Sequence, residues 1–375
     1  MKIFISCLSG RVYGGASYYK NLIPEIVKSD QLNKYYIWVR KKSEIFPNDT
    51  PKNIIFYEVD WRIDYFIYRI IFEQLIIPIY FFLLKGDTIF YGKNIGSILF
   101  SNKNILAIRN VEPFFYSEFN NTPIRHIISF LRLKISLYSI KKSKKIIAVS
   151  NSVREILISR FKVNSSKVYT IYNGCNVSPD YKGAWSSKAD NNSILIISKF
   201  VPYANQYNVL LAYNEFIKKI DVSFPRLIIL GGIYDKKYYQ KCLKFIRDAN
   251  LEKYIDLRGY VNKKDVYRFS IQSNFYIHAS KLEACPHTLI EMMSIGIPII
   301  CSDIEPMPEI TQDASILFDP DNVNSIVAAM KKIFFNKKKA NANSRHGKNI
   351  SKKYNWKETG NSYLNIFLNT LKNKH

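Results

Sequence analysis

Paired cysteines, metal-ligand clusters and acidic residues are all scarce in this 375-residue chain, and each scarcity closes off a class of protein. Cys7, Cys175, Cys242, Cys285 and Cys301 are odd in number, widely spread and lack any C-x-x-C pair. That argues against a disulfide framework and a zinc site, and fits a reducing cytosol. His126, His278 and His346 have no carboxylate or cysteine at ligand spacing, so no metal site is expected. The opening "KIFISCLSG" is a short apolar run ending in glycine, without the cleavage site of an export signal. The most apolar stretch, "YFIYRIIFEQLIIPIYFFLL" at 65–84, has about the length of a membrane span but carries Arg69, Glu73, Gln74 and a central Pro78. It reads as a buried or interfacial helix.

Only 30 acids stand against 55 lysines and arginines, a formal charge of +25. Such a chain is drawn to anions, but charge alone does not choose among nucleic acid, an acidic membrane face and a phosphorylated small molecule. A hydrophobic share of 47% with 15% aromatics excludes disorder, and the length suits two domains of roughly 150–200 residues.

Residues 2–8 lean towards a strand, followed by a glycine-bearing loop and an amphipathic helix that buries Tyr18, Tyr19, Leu22, Ile23 and Ile26. Strands are expected at "YYIWVR", "NIIFYEV", "TIFYG", "ILAIRN" and "KIIAVS", with helical or turn-rich segments between them, which argues for a parallel sheet covered on both faces. Residues 177–193 are polar and turn-prone and read as a linker. The alternation restarts with "ILIIS", "RLIILGG", "YIDLRGY", "NFYIHAS" and "IPIICS". The expected domains are therefore 1–176 and 194–354, with a helical 355–375 returning to the first and a cleft between the carboxyl ends of the two sheets. The basic runs at 141–145 and 337–339 read as solvated surface.

The chemistry concentrates in "NFYIHASKLEACPHTLIEMMSIGIPIICSD", residues 274–303. A strand leads through a loop bearing Glu283 into a helix with Pro286 at its first position and Gly296 as its stop. The amides of His287, Thr288 and Leu289 open that helix, lack intrahelical partners and lie at the positive end of its dipole, where a diphosphate can dock. Glu291, one turn on, can accept two hydroxyl hydrogen bonds from a ribose.

Two glutamates eight residues apart, followed by a helix, "GIPI" and a strand, resemble the signature of glycosyltransferase family 4, retaining enzymes of GT-B fold. The resemblance runs along nearly the whole chain: "RIIFEQLIIPIYFFLLKGDTIFY", "KKIIAVSNSVREILISRF", "VYTIYNG" and "YNWKETGNSYLNIF" are similar to family landmarks. It implies two doubly wound Rossmann-like α/β domains, the first for acceptor and the second for nucleotide sugar. Gly14 and Gly15 would lie near the phosphates and acceptor, and Gly259, Tyr260 and Val261 near the base. Ser198 and Lys199 would meet the phosphates, with Lys199 in place of the commoner arginine, and Glu283 would face the sugar. The second phosphate cation is missing, its place falling to Ala204 or Asn205. The family's histidine motif is replaced by Arg109 and Asn110 on the acceptor side.

The activity implied is transfer of a hexose-type residue, with retention and without metal or other cofactor, from a UDP-, GDP- or dTDP-sugar to a growing glycan. The acceptor would be lipid-linked, in O-antigen or capsule assembly at the cytoplasmic face of a membrane, with peripheral contact to anionic lipid. Two rivals remain: a catalytically inactive partner subunit of the same fold, and a basic nucleic-acid binder. The second is disfavoured because the aromatics sit within strands and apolar helix faces rather than among the cations.

Overall fold

Runs of β-branched and aromatic residues form two parallel sheets in the computed structural model, which describes residues 1–9, 14–46, 50–60, 62, 66–119, 123–175, 185–186, 192–219 and 225–370. The chain divides into two units, Met1–Gly174 together with Tyr354–His375, and Cys175–Lys353. In the first, strands β1 Lys2–Ser6, β2 Lys34–Val39, β3 Ile54–Glu58, β4 Thr88–Tyr91, β5 Asn104–Ile108, β6 Lys145–Ala148 and β7 Val168–Thr170 lie in the order β3-β2-β1-β4-β5-β6-β7. Its helices are α1 Gly14–Ser29, α2 Phe66–Ile71, α3 Ile77–Leu83, α4 Tyr116–Phe119, α5 Pro123–Lys142 and α6 Asn151–Glu155. The second unit orders β8 Ser193–Ile197, β9 Arg226–Leu230, β10 Ile255–Gly259, β11 Phe275–His278, β12 Ile299–Ser302 and β13 Ile316–Phe318 as β10-β9-β8-β11-β12-β13. Its helices are α7 Gln206–Ile217, α8 Lys236–Asp248, α9 Lys263–Ile271, α10 His287–Ile295, α11 Met307–Thr311, α12 Val323–Phe334 and α13 Lys337–Ser351. The chain then returns to the first unit as α14, Trp356–Leu368.

Alternate residues of β1 serve opposite faces of the first sheet, as the period of two requires. Ile3 and Ile5 join Leu22, Ile23, Tyr363 and Phe367 in a core shared by α1 and α14. Phe4 points the other way, stacking on Tyr36 at 4.8 Å and meeting Phe81 of α3 edge-on at 5.0 Å. Tyr18 of α1 donates to the hydroxyl of Tyr363 of α14 at 2.7 Å, a buried bond between groups 345 residues apart in sequence. Lys144 donates to the carbonyl of Thr370 at 2.8 Å, and Lys145 reaches that of Ile366 at 3.4 Å, so two cations meet the carboxyl end of α14. In the basic run at 141–145, Lys141 and Lys142 are exposed, Lys144 is half-buried and Lys145 is buried.

Three further features bear on the sequence reading. The apolar stretch at 65–84 is not one regular helix: a π turn, Phe72–Ile76, separates α2 from α3 and leaves Glu73 buried on the hydroxyl of Ser6, 2.8 Å away. Many of its apolar side chains are exposed rather than covered. The strands β7 and β13 have three residues each, too few to show a period. Most of the stretch 177–193 lies outside the described residues; its Trp185 is buried and donates to the Ser273 carbonyl at 2.8 Å.

Replacing Tyr363 by Phe strands the Tyr18 hydroxyl without that acceptor. The expected loss is about 1–3 kcal/mol from the unit that holds α1 and α14, read as an earlier denaturant midpoint of its transition.

Candidate functional site

The strand order of the second sheet reverses at β8, whose neighbours are β9 and β11, so the loops leaving β8 and β11 diverge and leave a crevice at their carboxyl ends. Lys199 follows β8 and Glu283 follows β11. The two loops are stitched together by backbone. Lys281 donates its amide to the Tyr203 carbonyl at 2.7 Å, and Ser302 of β12 holds the Ser280 carbonyl at 2.5 Å. Buried Gln206, in the first turn of α7, donates at 2.8 Å both to the Ser198 hydroxyl and to the Lys199 carbonyl. Gly231, at φ +152°, lies so close beneath that any Cβ would come within 1.9 Å of the Ser198 carbonyl, which admits glycine alone.

These constraints present the Lys199 ammonium between the rings of Tyr203 and Tyr234, 5.2 Å from each centroid. Lys199 also acts electrostatically on Glu283. The Glu283 carboxylate keeps an exposed edge, yet its surroundings withdraw water enough to push its pKa up to about 7, against the opposing pull of Ser280 and Lys199. Beside it His278 is buried, with Nδ1 2.8 Å from the Tyr276 hydroxyl and Nε2 3.7 Å from Glu283 Oε1. Burial drives the His278 pKa down to about 4, so a neutral imidazole faces the carboxylate near pH 7.

Helix α10 begins one residue later than the sequence implies. Pro286 is its N-cap, at φ −76° and ψ 87°, and the helix stops at left-handed Gly296. The first amide to turn back into it is that of Ile290, 3.2 Å from the Pro286 carbonyl, so the amides of His287, Thr288 and Leu289 form its leading edge. The Leu289 side chain is fully buried, which leaves only its main chain to serve a ligand. Glu291, half-buried, is 3.0 Å from the Lys263 ammonium at the start of α9. Burial pulls the Lys263 pKa down, but Glu291 and Tyr267 outweigh it and hold it above its ordinary value.

The β10 end supplies Gly259, at φ +63°, with exposed Tyr260 and half-buried Val261 following it. Asn205 is the candidate that the structure does not bring to this group. It takes a left-handed conformation ahead of α7, its side chain is buried, and its amide donates to the Pro320 carbonyl at 2.7 Å. It therefore offers no donor in place of the missing cation. Gln206, which the sequence offers beside Asn205 as a weaker donor in place of the missing cation, supports the Ser198–Lys199 turn instead, and Lys263 and Gly231 are the residues that sequence reasoning passed over. Only the Gly-Gly after β9 carried a visible signal.

In the first unit, Gly14 and Gly15 open α1, while residues 10–13 ahead of them lie outside the described residues. Arg109 leaves β5 and lays its guanidinium 3.3 Å from the centre of the Tyr18 ring, donating to the Gly92 carbonyl at 3.2 Å. Asn110 uses its side-chain oxygen to accept from the Glu112 amide at 3.1 Å. Both are set by Asn94, whose carboxamide oxygen accepts from their amides at 3.1 and 3.2 Å.

The family description "Glycosyl transferases group 1" matches residues 177–350, the span that holds every second-unit residue named above, and "Glycosyltransferase Family 4" matches residues 111–178. Both matches are to glycosyltransferase families, and together they span residues 111–350. Among curated relatives, it is 23% identical over 244 residues to an O-antigen chain mannosyltransferase B of Escherichia coli, covering 61% of each chain. It is 30% identical over 203 residues to the capsular polysaccharide biosynthesis glycosyltransferase CapH of Staphylococcus aureus, covering 52% of this chain and 55% of that one. The matches thus span roughly three fifths of the relatives' length. Among solved structures, sucrose-phosphate synthase from Thermosynechococcus elongatus superposes with a TM-score of 0.75 at 14% identity, covering 99% of both chains. HepE of Anabaena in complex with UDP-glucose gives 0.70 at 14%, covering 99% of this chain and all of that one. The fold of the chain is accordingly GT-B.

Gln206→Leu removes the donor shared by Ser198 and Lys199 while filling nearly the same volume. A stability loss of about 1–3 kcal/mol is expected, measured by urea unfolding of the unit that holds α7.

Proposed function

We propose that this chain is a retaining glycosyltransferase that moves a sugar from a nucleoside diphosphate onto a growing, lipid-linked glycan in surface polysaccharide assembly. The reading rests on one observation: a cation, Lys199, and a carboxylate, Glu283, follow the two strands beside the switch point, with the leading amides of α10 next in the chain after Glu283. Relatives named for O-antigen and capsule synthesis support the biological setting. Neighbours solved with UDP and UDP-glucose support the donor class.

In the proposed reaction the diphosphate lies against the α10 amides and Lys199, which spread the charge that develops as the glycosidic bond breaks. The acceptor hydroxyl attacks from the leaving-group side, and the departing phosphate oxygen takes its proton. Glu283 accepts hydrogen bonds from the sugar and must be ionised to do so. Glu291 holds the ribose, which requires the hydroxyls to compete with the Lys263 ammonium for the same oxygens. With the second family cation absent and Asn205 turned inward, Lys199 carries a larger share of the charge stabilisation. Arg109 and Asn110 serve the acceptor, and the amides and Lys199 supply the neutralisation that a metal ion would otherwise give.

Calorimetry with UDP, GDP and dTDP is expected to detect one nucleotide, with binding weakened in Glu291→Ala and unaffected by chelator. Absence of binding to any of the three overturns the donor site. Binding without sugar transfer to any acceptor favours the inactive-subunit reading. With a competent donor and acceptor, Lys199→Ala should lower kcat on the order of 10²-fold with a smaller change in KM.

The pH profile gives a separate check. A Glu283 pKa near 7 means that the working carboxylate form is present above that pH and lost as pH falls through it. The kcat/KM of the wild type should therefore rise with pH across neutrality, and Glu283→Gln should abolish the rise along with most activity. A flat wild-type profile contradicts the assignment.

A further inference from the structure

Three serines share the inner side of α5 with buried Ile140 and half-buried Leu133 and Leu137. Ser129, Ser136 and Ser139 are buried, whereas Ile127, Phe130, Leu131 and Ile135 on the same helix are exposed. An ordinary surface helix carries polar residues on the side that here leaves these apolar groups uncovered. The segment from α2 to α3 repeats the pattern, with Ile67, Phe82 and Leu83 each more than two-thirds exposed.

These helices make one surface. The Gly96 carbonyl accepts from Gln74 in the π turn at 3.0 Å and from Ser139 of α5 at 3.3 Å. The intervening loop adds exposed Ile98 and Leu99, and its Phe100 stacks on Phe82 with centroids 6.4 Å apart. Of the 23 large apolar side chains exposed among the described residues, 16 fall between Ile67 and Tyr138 on these segments. A contiguous patch of that size marks an interaction surface.

The charges on it have one sign. Helix α5 contains no acid, and Arg132, Lys134, Lys141 and Lys142 are exposed along it. Lys134 lies 5.2 Å from the Phe130 ring and Lys142 5.9 Å from that of Tyr138, so cations and apolar groups interleave. The one acid of the α2 to α3 segment, Glu73, is buried, and Lys85 is exposed at its end. Lys93 nearby has its pKa lowered to about 8 by burial and by Arg69, Arg109 and Arg132, a further gathering of positive charge. Two copies of such a face repel each other, whereas an anionic surface neutralises it. No helix among the described residues is long and apolar enough to cross a membrane.

We propose that the outer face of α2, α3 and α5 lies on an anionic lipid bilayer, with its apolar side chains among the acyl chains and its lysines and arginines at the headgroups. The mode is that of an interfacial amphipathic surface, in which apolar burial and charge attraction add. The inference is independent of the donor chemistry.

The test is flotation of the full chain with vesicles of phosphatidylglycerol and phosphatidylethanolamine, and with vesicles of phosphatidylcholine alone. The wild type should float with the first and much less with the second, and raised salt should weaken the binding. Ile79→Ser, Phe82→Ser and Leu83→Ser combined change only exposed groups; they should preserve the thermal unfolding transition and lower the bound fraction at least tenfold. Lys134→Glu with Lys142→Glu should lower it on the anionic vesicles by about tenfold or more. The proposal is overturned if the wild type fails to float with anionic vesicles, or if either variant floats as the wild type does. It is also overturned if light scattering shows a wild-type dimer that the serine variant converts to monomer, since the face is then a contact between copies.

Discussion

The hydrogen bond from the Lys281 amide to the Tyr203 carbonyl, 2.7 Å long, fixes the loop after β11 against the turn ahead of α7. The rest of the candidate site hangs from that link. Divergence of the two loops at the switch point creates the crevice, but diverging loops without a tie would leave Lys199 and Glu283 at no set separation. Gln206 and Gly231 complete the restraint from below, one through two amide donors and the other through the absence of a Cβ. A cation and a carboxylate are thereby held by main chain and buried groups and need no ion pair to each other. Each remains available to a ligand.

The electrostatics of the second unit follow from unequal hydration. Glu283 and Glu291 are the same residue type eight positions apart, yet they differ in what surrounds them. Glu283 faces a buried neutral imidazole and gains little relief from it, so protonation is favoured up to about pH 7. Glu291 has an ammonium 3.0 Å away. A ligand that brings hydroxyls to the first and displaces a lysine from the second meets two different costs, and the difference separates their roles.

Most of the architecture was legible because parallel strands buried on both faces are near-continuous apolar runs, and "NILAI", "RLIIL" and "FYIH" announce themselves. The two-glutamate motif was legible for a related reason: strand, loop and helix there are contiguous in sequence. What could not be read depends on pairs of distant residues or on backbone sign. Lys263 reaches Glu291 from another helix, and the left-handed turn of Asn205 sends its amide to Pro320, 115 residues away. Lys144 and Lys145 sit in a run that composition assigns to solvent, but α14 brings carbonyls to them. The stretch at 65–84 leaves two readings open, buried or interfacial, because hydropathy reports apolar character without saying which side stays uncovered.

The return of α14 to the first unit shapes the order in which the molecule can be built. The segment Cys175–Lys353 is continuous, so every group of its core precedes α14 in the chain. The unit holding α1 must wait with a bare apolar groove, lined by Leu22, Ile23 and Ile26, until Tyr363 and Phe367 emerge. During that interval the nascent chain carries an exposed hydrophobic surface on a half-finished sheet, and a holding chaperone would find its binding site there.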